Sequence, residues 1–216
     1  MIVTLLHTSP VHVPVFDALR AAGHPDLTLR HVVREDLLER AMETGPDSVA
    51  DDVRALLEAA ERDGADAVLC TCSSIGGIAE DLGGALAVPV LRVDRPMAAR
   101  AVAAGARIAV VATVHSTFGP TVALVEEEAA RAGRTVDVRP VFVADAWECF
   151  LAGDRDGYLD KVAAAVDAVT DADAIVLAQA SMADAADRAR TAVPVLSSPR
   201  PGLDAAATEC ERAKTA

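Results

Sequence analysis

Three short strings return in the same order along this chain. Ala65-Asp66-Ala67-Val68-Leu69 comes back as Ala172-Asp173-Ala174-Ile175-Val176, and Val88-Pro89-Val90-Leu91 as Val193-Pro194-Val195-Leu196. The opening apolar run, ending in His7-Thr8-Ser9, is answered by Arg107–Ala112, ending at Thr113. Each string alone is cheap. Matches in one order, at almost one offset, mark an internal duplication, which constrains both halves to one arrangement.

The runs Ile2–Leu6, Leu27–Val33, Ala67–Cys70, Val88–Val93, Ile108–Ala112, Val136–Val143, Ala174–Leu177 and Val193–Leu196 read as buried strands. Helical patterns lie between them, as over Ser48–Arg62, Pro120–Ala132 and Tyr158–Val169. Strand alternating with helix points to right-handed βαβ units and parallel sheets. The composition agrees: 52% of residues are hydrophobic but only 3% aromatic, so Ala, Val and Leu must fill a core of helices packed closely on a sheet. The expected fold is α/β, with two similar parallel-sheet halves over residues 1–97 and 98–216. A pseudo-twofold duplication would place the active site between them, with the C-terminal helix able to pack back on the first half. The segment Pro96 to Gly105 still reads as helix, so the crossover is structured.

A formal net charge of −13 argues against nucleic acid or an anionic membrane surface as a partner. The run Ile2–Leu6 is too short and lacks the basic flank of a signal peptide, and no stretch is long and apolar enough to span a bilayer. With four cysteines and no secretory signal, reduced thiols and a cytoplasmic location are expected.

In open parallel sheets ligands gather at the carboxyl ends of strands. Asp66 precedes Cys72 by six residues, and Asp173 precedes Gln179 by six, so Cys72 and Gln179 occupy equivalent places past equivalent strands. Cys72-Ser73-Ser74, the run Leu177-Ala178-Gln179 and the Thr-rich loop Ala112-Thr113-Val114-His115-Ser116-Thr117 together resemble the aspartate/glutamate/hydantoin racemase superfamily. The resemblance covers essentially the whole chain. It implies a cofactor-independent, isomerase-type enzyme on a small carboxylate, an amino acid or related diacid. A thiolate on one face removes the α-proton and a thiol on the other returns one. The dimeric default of such proteins makes a homodimer an expectation. Ser73, Ser74, Ile75, Gly76 and Gly77 open a helix after Cys72, the setting in which a thiolate is stabilised.

The chain departs from this pattern at Gln179, which is neither acid nor base near neutral pH. Three outcomes stay open. His115 or Ser181 can replace the second thiol; one thiol can suffice for a decarboxylation or cis–trans isomerization; or the chain binds a small acid without catalysis. The candidate catalytic residues are Cys72 and His115. Ser9, Thr8, Ser73, Ser74, Thr113, Ser116, Thr117, Gln179, Ala180 and Ser181 are the candidate substrate contacts. Each has a plainer alternative: Cys72 as a small core residue, Ser9 as a turn former, Thr113 to Thr117 as helix caps, His115 as a surface histidine.

The remaining polar residues are less informative. Cys70 reads as core, and Cys149 and Cys210 sit in helical stretches. The spacing of the cysteines fits neither a redox motif nor a zinc site. His12, His24 and His31 form no legible constellation. Arg92 or Arg95 can bind a carboxylate or pair with a nearby acid, and Glu126-Glu127-Glu128 reads as a solvated helix face.

Overall fold

Alternate residues of each buried strand face opposite layers, and this alternation builds the core of the protein. The computed structural model describes residues 1–215. The chain divides into two compact units, one formed by residues 1–93 with the C-terminal helix, the other by Asp94–Ser198.

The first unit runs β1 (Ile2–His7), α1 (Val13–Gly23), β2 (Thr28–Val33), α2 (Glu35–Thr44), α3 (Ala50–Arg62), β3 (Ala67–Cys70), α4 (Ser73–Gly83) and β4 (Val90–Arg92). Its four strands are parallel in the order β2-β1-β3-β4. Leu6, Val68 and Cys70 point to one face, against Leu37, Val53, Leu57 and Ile75. Val3, Leu5, Ala67 and Leu69 point to the other, against Phe16 and the C-terminal α9 (Pro199–Thr215). A Cβ on Gly202 would stand 2.6 Å from the Val93 carbonyl oxygen, so α9 seats there only because that residue has no side chain.

The second unit runs α5 (Arg95–Ala104), β5 (Arg107–Ala112), α6 (Phe118–Arg131), β6 (Asp137–Phe142), α7 (Ala146–Leu151), α8 (Arg155–Asp167), β7 (Ala174–Leu177) and β8 (Val195–Leu196). Its parallel order, β6-β5-β7-β8, repeats that of the first. Ile108, Val110, Ala174 and Val176 meet Met97, Ala101 and Leu124 on one face. Ala109, Val111, Ile175 and Leu177 meet Tyr158, Leu159 and Val162 on the other. The helix that follows β4 thus belongs to the second unit, and the helix that follows β8 to the first.

The duplication extends to single hydrogen bonds. Asp66 accepts from the Ile2 N–H at 2.7 Å, and Asp173 from the Arg107 N–H at 2.9 Å, each carboxylate securing the start of the neighbouring strand. Pro89 and Pro194 carbonyls accept from Val68 and Ile175 at 2.9 and 2.8 Å. Since proline has no N–H to continue a ladder, β4 and β8 begin only after these residues, later than their apolar runs suggest. Helix α6 starts two residues ahead of Pro120, where the first N–H groups of a helix have no internal partner to lose. Among the described residues, no helix is long and apolar enough to cross a membrane.

Candidate active site

The functional candidates fall at the carboxyl ends of β1 and β3 in the first unit and of β5 and β7 in the second. Cys72 and Gln179 are true equivalents in backbone terms. Cys72 has φ −113° and ψ 118° and immediately precedes α4; Gln179 has φ −118° and ψ 137° and immediately precedes a 3-10 turn over Ala180–Ala185. The preceding residues are held alike. The Thr71 N–H donates to the Leu6 carbonyl at 2.9 Å, and the Ala178 N–H to the Val111 carbonyl at 3.0 Å.

Cys72 is 9% exposed and packs with Leu6, Cys70, Ile75 and Ala79. Its carbonyl accepts from the Cys70 thiol at 3.7 Å. The Cys72 side chain does not cap α4 and no acid lies in its first turn, so the positive end of the helix dipole points at the Cys72 end. Ser73 and Ser74, the first residues of α4, are half-buried. The buried side chain of Arg92 lies along Gly76 and Gly77; a Cβ on Gly76 would come within 3.1 Å of the Arg92 Cβ. The glycine pair therefore makes room for a guanidinium against the body of the helix that Cys72 opens.

At the end of β1, Thr8 is buried, and half-buried Ser9 starts a 3-10 turn without capping it through its side chain. His7 is wholly buried. Its Nδ1 lies 2.7 Å from Thr71 Oγ1, and its Nε2 lies 2.8 Å from His31 Nδ1. Burial, reinforced by the neighbouring His31 and His12, pushes its pKa down to about 3.

In the second unit Thr113 and Gln179 meet. Gln179 Oε1 accepts from both the backbone N–H and the hydroxyl of Thr113, each at 2.8 Å. Tyr158, the one tyrosine in the chain, bonds Ser181 Oγ at 2.8 Å and reaches Thr113; burial raises its pKa. The Thr113 hydroxyl gives its proton to Gln179, and between Tyr158 and Ser181 either hydroxyl can be the donor. The backbone N–H of Thr113 can only donate, which fixes the amide orientation of Gln179. Its oxygen is saturated and its Nε2 keeps two donors for something else.

His115 is not drawn into this network. It is exposed and stacks on Phe142 at 3.9 Å between ring centroids, with Phe118 at 6.1 Å. Ser116 is exposed, and Thr117 is buried before α6 without capping it. Ala180 and Ser181 are half-buried in the 3-10 turn. Arg95 pairs with Glu127 at 3.2 Å and Glu128 at 2.5 Å, so the acidic run is not merely solvated. Sequence reasoning missed Tyr158, though a lone tyrosine was a signal, and the partners of His7, which no spacing reveals. Among the described residues, no group of three or more His, Cys, Asp or Glu side chains is placed to hold a metal ion.

A family model for Asp/Glu/hydantoin racemases matches residues 12–208. Among solved structures, a glutamate racemase from Bacillus anthracis aligns with a TM-score of 0.74 at 14% identity, over 98% of this chain and 82% of that one. Allantoin racemase from Pseudomonas fluorescens aligns at 0.64 and 22% identity, over 98% and 92%. A cysteine-for-glycine variant of arylmalonate decarboxylase, in a sulfate-associated form, aligns at 0.67 and 20%, over 97% and 93%. Identities this low speak for the fold alone. No curated protein matches the sequence significantly.

Proposed function

Because the chain belongs to the Asp/Glu/hydantoin racemase family, we propose that it is a cofactor-independent, isomerase-type enzyme acting on a small carboxylate, with Cys72 as its proton-transfer group. The carrying observation is the equivalence of Cys72 and Gln179 at matching strand ends, together with the locked amide of Gln179. Cys72 supplies or removes a proton at the carbon next to the carboxylate. Gln179 Nε2, with its oxygen tied to Thr113, donates to the carboxylate or enolate oxygen, which lowers the barrier to forming that anion. Thr8, Ser9, Ser73 and Ser74 surround the Cys72 strand end as further oxygen ligands. Thr113 has its hydroxyl proton committed and serves to orient Gln179, with Ser181 beside it on Tyr158.

Inversion needs a second proton-transfer group. His115 is proposed for it, an exposed imidazole with one ring nitrogen to donate a proton and one to accept it. One observation favours a second reading. A donor amide, with no proton to exchange as an acid, stands where the second thiol of a two-thiol racemase would be. That suits one-thiol chemistry, a decarboxylation or cis–trans isomerization in which Cys72 alone moves the proton.

Proton exchange in deuterated water, followed by NMR over aspartate, glutamate, hydantoins, malonates and maleate, tests both. Exchange at an α-carbon that disappears in Cys72→Ala supports Cys72 as the acid–base group, and chiral analysis separates inversion from one-sided chemistry. No exchange, decarboxylation or isomerization with any of them leaves a small-acid binder as the better account.

A further inference from the structure

His7 stands in the middle of a chain of four contacts, two of them its own. Beyond Thr71 and His31, the chain continues from His31 Nε2 to Asp17 Oδ1 at 3.3 Å, and from Thr71 Oγ1 to the Leu6 carbonyl at 3.1 Å. It runs from an exposed carboxylate on α1, through β2 and β1, to the residue before Cys72.

Each contact needs one proton. Two neutral imidazoles and one hydroxyl hold three between them, and an ionised Asp17 holds none. Meeting all four contacts takes one more. The assignment that then satisfies every contact makes His31 doubly protonated, donating through Nδ1 to His7 and through Nε2 to Asp17. His7 donates through Nδ1 to Thr71, and Thr71 donates to Leu6. Without the fourth proton the direction reverses: His31 donates to Asp17, His7 donates through Nε2 to His31, and the Thr71 hydroxyl turns from Leu6 to His7 Nδ1.

The fold itself does not need this chain. His7 accepts at its carbonyl from the Arg34 N–H at 2.8 Å as Ala112 does from the Val143 N–H at 2.9 Å, so His7 and Thr71 correspond to Ala112 and Ala178. Both alanines are buried. The same strand ends are therefore built once with two methyl groups and once with a buried imidazole and hydroxyl, the less favourable choice for burial alone.

We propose that His7 is a positioning residue for Cys72, acting through Thr71, and that the Asp17–His31–His7–Thr71 chain couples the gain of a proton at its His31 end to the hold on the Cys72 strand end. The inference rests on Cys72 being the reacting thiol. With the fourth proton present, both the N–H and the hydroxyl of Thr71 grip the Leu6 carbonyl; without it the hydroxyl lets go. The elements packed around β1 carry further titratable and apolar groups. His12, before α1, has its ring 6.3 Å away and is pushed down by burial to about 4, so it stays neutral. Phe16 lies 5.6 Å away and is apolar, and on α9 the Asp204 carboxylate is taken by His24 at 2.7 Å.

The test is the rate at which iodoacetamide alkylates Cys72, read by peptide mass spectrometry and corrected for thiolate fraction, across about pH 5 to 9. The natural chain should show a step of about tenfold, besides the thiol's own titration, as the fourth proton leaves. Asp17→Asn is the discriminating variant. Its amide donates to His31 Nε2, so three chain protons meet all four contacts and the step should vanish. His31→Phe leaves two protons for two contacts and should remove it as well. A step unchanged in Asp17→Asn, no step in the natural chain, or NMR showing His7 protonated on Nε2 at every pH would each overturn the proposal. Alkylation needs no substrate, so these outcomes are separate from failure of the enzyme reading, which proton exchange decides.

Discussion

Gln179 is turned by Thr113: both hydrogen bonds to its amide oxygen, each 2.8 Å, come from that residue, one from backbone and one from hydroxyl. Gln179→Glu keeps an oxygen for Thr113 but replaces the two N–H donors with a second acceptor. On any carboxylate substrate found by exchange, kcat/KM should fall about 10²- to 10³-fold, the usual effect of losing one anion-stabilising donor. Thermal unfolding should show the fold intact. A Glu variant as active as the natural chain would remove Gln179 from the site.

Tyr158→Phe removes the hydroxyl that bonds Ser181 beside Thr113 and leaves Ser181 without that partner. Denaturant unfolding should register a loss of about 1–3 kcal/mol, as for a buried polar group deprived of its bond. Gln179 would be less firmly held, so kcat should fall more than KM rises.

His7 and His12 carry pKa values pushed down to about 3 and about 4 from an ordinary 6.5. Below 6.5 the unfolded chain takes up protons that these folded residues refuse. Stability is therefore full above about pH 6.5 and falls as the pH drops toward 3, by up to about 1.4 kcal/mol per pH unit for each residue. Urea midpoints measured down this range should fall steeply in the natural chain. The slope should be shallower in the paired variant His7→Ala with Thr71→Ala, which copies the alanines of the second unit.

Asp173 gives the same sign for a different reason. Hydrogen bonds from the Arg107 guanidinium, and then from the Arg107 backbone, hold its carboxyl down to about 2. Its contribution is present above an ordinary carboxyl pKa and disappears as the pH falls through about 2. In Asp173→Asn the acid limb of the unfolding curve should flatten, read as the urea midpoint between neutral and acid conditions.

Gly202→Val drives a side chain into the Val93 backbone, where a Cβ alone would already sit 2.6 Å from the carbonyl oxygen. Overpacking of this kind should lower stability by about 1–3 kcal/mol in denaturant unfolding. Cys72 alkylation in the surviving folded fraction should keep its pH profile.

The fold was legible where burial is two-sided. Strands β3 and β7 read as unbroken apolar runs because every residue of Ala67–Cys70 and Ala174–Leu177 is buried. Helix α1 escaped because only Phe16 in it is buried, too narrow a stripe to set a period. At the site, the pairing of Cys72 with Gln179 followed from counting residues along a repeat. The chain from His7 through His31 to Asp17 could not, since it depends on β2 lying beside β1 and α1 crossing over them. A histidine at position 31 of a half-buried strand carries no mark of its partner. Tyr158 was hidden likewise, because its hydroxyl acts three elements away in sequence from Thr113.

The exchange of end helices has a bearing on heredity as well as on shape. The helix after β4 serves the second unit and the helix after β8 serves the first. The stretch of gene that repeats and the stretch of chain that packs are therefore offset by one helix. A fragment cut after Val93 would leave Val3, Leu5, Ala67 and Leu69 without the cover of Leu203, Ala206 and Cys210. The 17 residues of α9 would have to travel with it. Half of this protein is not half of its sequence, and recombination that swaps whole repeats would hand each unit a foreign wall.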